Sequence, residues 1–207
     1  MERSNTLEEV KLPVMEAFYT LQGEGTYSGR AAYFIRLGGC DVGCHWCDVK
    51  ESWDAEIHPR KSVEEIVDGA LQYSGRLAVI TGGEPLMYNL DELTRQLQET
   101  GFQTNIETSG VYPVTGRWDW ICFSPKKFKQ PHEDIYHQAD ELKVIIYNRS
   151  DFEFAEYHAG KVREGCRLLL QPEWGRKEVM MEEIIEYVKG HPQWCMSLQT
   201  HKYMNIP

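Results

Sequence analysis

Short, uninterrupted apolar runs alternate along this chain with stretches of helical pattern, and that alternation limits the fold more than any other feature. Leu77-Ala-Val-Ile80 and Leu168-Leu-Leu170 carry no polar residue at alternate positions. Strands of that kind are buried on both faces, as in a parallel sheet covered by helices. Strand-like runs fall at 14–20, 32–37, 77–81, 102–107, 120–124, 142–147, 167–171 and 196–199. Between them, Ser62-Val-Glu-Glu65, Asn89-Leu-Asp-Glu92 and Ser150-Asp-Phe-Glu153 each set a capping side chain three residues before a glutamate, a helix-start signature. Gly75, Gly101 and Gly160 are candidate helix stops, and a last helix is expected over 178–189.

Repeated βα units predict an α/β fold with a parallel sheet. At 207 residues the chain is shorter than the ~250 of a complete eight-fold barrel. The expectation is therefore one domain over residues 1–207, built as an incomplete TIM-like barrel of about six βα units. The polar, mixed-charge segment 1–12 is expected to be a mobile extension. It has no apolar signal-peptide core, and no run reaches the ~18 apolar residues of a membrane helix, so a cytoplasmic location is expected. The net charge of −10, with no lysine- or arginine-rich stretch, disfavours direct nucleic-acid binding. Cys122, Cys166 and Cys195 are isolated and read as small buried hydrophobes.

In a parallel barrel the chemistry collects at the carboxyl ends of the strands. Nearly every expected strand here runs out into a polar or glycine-rich motif: Gln22-Gly-Glu-Gly25, Thr81-Gly-Gly-Glu-Pro85, Glu107-Thr-Ser-Gly110, Ser124-Pro-Lys-Lys127, Gln171-Pro-Glu173 and Gln199-Thr-His-Lys202. Any one of them could be turn chemistry alone. In Thr81-Gly-Gly-Glu-Pro85, the two glycines would let the backbone approach a ligand and Glu84 would bind an ammonium group.

The strand at 32–37 opens into Cys40-Asp-Val-Gly-Cys44-His-Trp-Cys47. Three thiolates this close can share one metal or cluster but cannot complete a four-thiolate cage. A cubane cluster held this way keeps one iron open to a small molecule. The alternative is structural zinc, with His45 or a distant histidine as fourth ligand, although no second cysteine pair is present.

The triplet with an aromatic before its last cysteine, followed one βα unit later by Gly-Gly-Glu-Pro, resembles the radical S-adenosylmethionine (SAM) enzymes. Within them, Thr20-Leu-Gln-Gly-Glu-Gly25, Phe34-Ile-Arg36, Cys47-Asp48, Ser124-Pro-Lys126 and the final proline are similar to the family of 7-carboxy-7-deazaguanine synthases. The resemblance implies a 4Fe–4S cluster on Cys40, Cys44 and Cys47, with SAM chelated at the open iron. Reductive cleavage would give a 5′-deoxyadenosyl radical that takes hydrogen from C6 of 6-carboxy-5,6,7,8-tetrahydropterin; the ring contracts, hydrogen returns and ammonia leaves.

By motif, Trp46, Asp48, Gly82, Gly83, Glu84, Ser109, Ser124, Pro125 and Lys126 take SAM-contacting positions. Leu21, Gln22, Gly23, Arg36, Thr81 and Pro207 take pterin-contacting positions, Arg36 being suited to a carboxylate. The family commonly carries a hydroxyl two residues past the last cysteine that ligates Mg²⁺. Val49 stands there, so Mg²⁺ affinity is expected to fall. A flavodoxin- or ferredoxin-type electron donor and a homodimer are further implications. A glycyl-radical activase of the same superfamily and a zinc-stabilised binding module are the competing readings.

Overall fold

The computed structural model describes residues 10–207. Its strands are β1 (Lys11–Leu21), β2 (Ala31–Leu37), β3 (Arg60–Ser62), β4 (Leu77–Gly82), β5 (Gln103–Thr108), β6 (Trp120–Phe123), β7 (Glu141–Ile146), β8 (Arg167–Pro172) and β9 (Trp194–Met196). Its helices are α1 (Val63–Leu71), α2 (Asp91–Glu99), α3 (Ile135–Gln138), α4 (Ser150–Ala159), α5 (Lys177–Gly190) and α6 (Thr200–Met204). The strands form one open sheet in the order β3-β1-β2-β4-β5-β6-β7-β8-β9. From β2 to β9 every neighbouring pair is parallel.

β1 departs from the all-parallel expectation, running antiparallel to both β2 and β3. Only residues 22–30 join β1 to β2, too few for a parallel crossover of a dozen or more. β3 escaped the sequence reading because Arg60-Lys-Ser62 has no apolar pattern. The mobile extension is partly corrected as well. Residues 1–9 lie outside the described residues, but Lys11 and Leu12 pair with Ser62 and Lys61, and Leu12 is buried.

One of the three helix starts is a reciprocal box: Glu65 N donates to Ser62 Oγ at 3.2 Å, and Ser62 N donates to the Glu65 carboxylate at 2.7 Å. The other two caps shift. Asn89 Oδ1 accepts from Asp91 N, and Asn148 Oδ1 accepts from Ser150 N, each at 2.9 Å, so Ser150 is already inside α4. In both, an asparagine one residue before the N-cap accepts from the amide of the first helical residue, one of the four orphan donors of the helix start, though not the one a standard cap takes.

Strand alternation sorts the side chains into two shells. Ile35, Leu37, Ala78, Ile80, Ile106, Ile121, Phe123, Leu142, Val144 and Leu170 face the helices and join the large core. On the opposite, inner face, Ala32, Phe34, Leu77 and Val79 form a small apolar plug with Phe18 and Tyr27. Continuing the same register towards the carboxyl ends puts Arg36, Thr81, Glu107, Lys143 and Gln171 above that plug, where all five line one cavity. Of the isolated cysteines, only Cys122 is buried; Cys166 is half-buried and Cys195 is exposed. Cys195 lies on the edge strand opposite buried Trp194, so no further strand covers it.

Candidate active site

The root of the cysteine loop is locked into the sheet by its backbone. Cys40 N donates to Trp53 O at 3.1 Å and Gly39 N to Ser52 O at 2.6 Å. Gly83 N donates to Leu37 O at 3.0 Å and Glu84 N to Gly39 O at 2.9 Å, tying the turn after β4 to the same segment. A Cβ on Gly82 would lie 2.1 Å from Leu37 O, and one on Gly83 would lie 2.2 Å from Gly39 O. The glycines are therefore required where two protein backbones meet, beside any ligand they also face. Asp41 anchors the loop tip, accepting from Tyr112 Oη at 2.5 Å and from Lys129 Nζ at 2.6 Å.

Cys40, Cys44 and Cys47 all face the cavity, as do Trp46, Asp48 and Val49. Burial pushes the Cys40 thiol upward and the Cys44 thiol up to about 11, so metal loading must displace protons here. Three sulfur donors on one wall, none serving another element, fit a cluster with one iron left open. Among the described residues, no three His, Cys, Asp or Glu side chains converge on a single-ion position. His45 does not line the cavity that the thiols face; it lies edge-on to Phe128 and Tyr147 with ring centroids 5.4 Å and 5.5 Å away, which counts against it as a fourth zinc ligand.

Most of the expected site residues meet in this cavity. Leu21, Gln22, Gly23, Arg36, Thr81, Gly82, Gly83, Ser109, Ser124, Lys126 and Pro207 line it together with the cysteine loop. Glu84 and Pro125 do not. Glu84 is buried beneath the wall, where its carboxylate accepts from Leu86 N at 3.0 Å, Thr108 Oγ1 at 2.5 Å, Ser109 N at 2.8 Å and also Ser109 Oγ. Those donors occupy both oxygens in this structure, so an ammonium ligand at Glu84 would have to displace one of them. Pro125 is buried.

Lys126 Nζ donates to Ser124 O at 2.7 Å and Ser124 Oγ at 2.6 Å and sits 5.8 Å from the Trp46 ring. Burial lowers its affinity for a proton. Asp48 is paired with Lys202 at 2.8 Å. Arg36 Nε meets Glu16 at 2.6 Å, and Thr20 Oγ1 donates to Pro207 O at 3.3 Å.

Sequence reasoning missed a second polar group on the inner face. Lys143 of β7 contacts Glu24 and lies 3.2 Å from Glu107. Glu24 and Glu107 were legible only as members of strand-end motifs; a lysine inside the apolar run Leu142-Lys-Val-Ile-Ile146 was the available signal for Lys143. Because β1 is antiparallel, Gln22-Gly-Glu-Gly25 reaches the cavity by another route. The loop returns along the open side of the sheet, with Thr200 N donating to Gly23 O at 2.8 Å and Gly25 N to Ser197 Oγ at 3.0 Å.

Comparison with known proteins agrees with this geometry. Residues 34–122 match the Radical SAM superfamily. A 7-carboxy-7-deazaguanine synthase of Flavobacterium psychrophilum is 58% identical over 196 residues, covering 95% of this chain and 93% of the relative. The enzyme of that name from Synechocystis is 50% identical over 197 residues, covering 95% and 94%. The crystal structure of QueE from Escherichia coli superimposes with a TM-score of 0.81 at 32% identity, over 91% of this chain and 93% of that one. The activase and zinc-module readings explain neither this likeness nor its length. The chain belongs to the 7-carboxy-7-deazaguanine synthase family of radical SAM enzymes.

Proposed function

We propose that the chain converts 6-carboxy-5,6,7,8-tetrahydropterin to 7-carboxy-7-deazaguanine with loss of ammonia, a carbon–nitrogen lyase reaction of queuosine and 7-deazapurine biosynthesis. The observation that carries this is the shared cavity. The cysteine triplet, the Gly82-Gly83 turn and the Arg36–Thr81 pair open into one space. When bound, a 4Fe–4S cluster and SAM would supply reversible one-electron hydrogen transfer.

The chain's own residues do the rest. Cys40, Cys44 and Cys47 would hold the cluster, with Trp46, Gly83, Ser109, Ser124 and Lys126 around the SAM space. Arg36 would bind the pterin carboxylate, and Leu21, Gln22, Gly23, Thr81 and Pro207 would border the ring. The apolar plug under this layer excludes water from below.

Mg²⁺ stays possible in this reading, with weakened binding expected. Val49 faces the cavity with no oxygen, and neighbouring Asp48 is committed to Lys202. This position therefore gives Mg²⁺ no side-chain oxygen, and water and substrate oxygens would have to complete its shell. The reading includes one domain over 1–207, a flavodoxin- or ferredoxin-type reductant, a pair of chains and a cytoplasmic setting. It includes neither nucleic acid nor membrane; among the described residues no helix is long and apolar enough to cross a bilayer.

The test is anaerobic reconstitution followed by turnover with SAM, a reductant and the pterin. The expected result is deazapurine product from the wild type and none from Cys44→Ala, whose iron and sulfide content should fall while its far-UV circular dichroism persists. Release of 5′-deoxyadenosine without deazapurine would overturn the substrate.

A further inference from the structure

Lys143 interrupts an apolar strand, yet its side chain is only 3% exposed. Inner-face register aims it into the cavity, where Nζ contacts Glu24 and lies 3.2 Å from Glu107. An amide holds the second oxygen of each carboxylate: Gln199 Nε2 donates to Glu24 Oε1 at 2.8 Å, and Gln22 Nε2 to Glu107 Oε1 at 2.9 Å. Five side chains from the loop after β1, from β5, from β7 and from the segment before α6 thus form one network. No helix or strand requires that network for its own hydrogen bonds.

Two carboxylates facing one ammonium leave one net negative charge on the wall. Each carboxylate also keeps acceptor sites beyond the two contacts described. A wall of acceptors with net negative charge suits a ligand edge rich in N–H donors, such as the aminopyrimidinone edge and ring N–H groups of a reduced pterin.

We propose that Lys143 is a positioning residue for the pterin, fixing Glu24 and Glu107 as a charged acceptor pair aimed at the N–H groups of the ring. The proposal rests on the pterin reading above. Burial opposes charge on Glu24 and Lys143, but their pairing prevails: it holds Glu24 down to about 2 and Lys143 well above its ordinary value. The other titratable groups within electrostatic reach are Cys122 of β6, Lys126 after β6, Glu141 of β7, His201 of α6 and Asp48, which pairs with Lys202 of α6.

Lys143→Met keeps the side-chain length and removes the charge. Two carboxylates sharing this space cannot both stay ionised, so one should take up a proton near neutral pH. Isotope-edited infrared spectroscopy at pH 7 should then show a protonated-carboxyl band that the wild type lacks and that Lys143→Arg suppresses. The pterin KM should rise at least about ten-fold, most steeply towards acid pH, while the dissociation constant of SAM stays within about two-fold.

Wild-type KM with no such band would overturn the proposal. So would parallel loss of pterin and SAM binding with the melting temperature, the mark of a structural role. If Lys143→Met does not fold, Lys143→Met/Glu107→Gln relieves the repulsion. That double variant should show no band and a raised pterin KM, and a wild-type KM there would overturn the proposal equally. If the wild type itself makes no deazapurine, the substrate reading fails, while the infrared result still decides whether Lys143 fixes the pair.

Discussion

Arg36 Nε donates to the Glu16 carboxylate at 2.6 Å, across directly paired positions of two antiparallel strands. Arg36 is 19% exposed at its side chain and Glu16 45%, so the pair sits at the cavity edge and not in the core. A substrate carboxylate must share or displace this partner.

Arg36→Ala should therefore raise the pterin KM by about 10–100-fold, the roughly 1.5–3 kcal/mol of a charge-assisted hydrogen bond. SAM affinity should hold. Glu16→Gln, which removes the competing charge, should lower the pterin KM and steepen its salt dependence. Steady-state kinetics at two ionic strengths checks both, and unchanged KM in both variants would sink the carboxylate role of Arg36.

Glu84 joins the turn after β4 to the end of β5 through buried hydrogen bonds to Thr108 and Ser109. Glu84→Ala leaves those donors unpaired, at a cost of about 2–4 kcal/mol. Differential scanning calorimetry should show the melting temperature falling by roughly 6–12 °C in a chain of this size. An unchanged melting temperature with lost SAM binding would return Glu84 to the ligand role.

Val49 faces the cavity where an oxygen would be needed to hold Mg²⁺. Turnover by the wild type should change less than about two-fold on adding Mg²⁺ or a chelator. Val49→Thr supplies the hydroxyl and should make turnover rise with Mg²⁺ concentration. Many-fold stimulation of the wild type at micromolar Mg²⁺ would refute this account.

His158 is 2% exposed and meets Tyr136 Oη at 2.8 Å through Nδ1. Burial, reinforced by nearby Lys161, holds it down to about 4. Between pH 6.5 and 4 the unfolded chain binds the proton and the folded chain does not, so stability should fall as the pH falls through this window. The loss is at most of order 3 kcal/mol. Urea midpoints should show this slope, and His158→Phe should flatten it while lowering stability at neutral pH through the unpaired Tyr136 hydroxyl. A slope that survives in His158→Phe would assign it to other groups.

Much of the fold was legible because its signals are local. The apolar run at 77–80 is a strand because nothing in it could face water, and Ser62 with Glu65 caps α1 within one helical turn. The direction of β1 was not local. It depends on where β2 lies, and only the short connection hinted at it. The short strand β3 is polar in sequence and exists because β1 offers it an edge.

The cysteine spacing by itself put three thiols on one short loop, and the run of strand-end motifs put polar groups at one end of the sheet, because residue type and strand period are written in neighbouring residues. Only the tertiary structure decided which of the named residues face the cavity. It withdrew Glu84 into a buried network, tied Arg36 to Glu16, and brought Glu24, Glu107 and Lys143 together across 119 positions of chain between Glu24 and Lys143. Contacts of that range come from the stagger of strands and the path of a loop, and no local pattern of residue types encodes them.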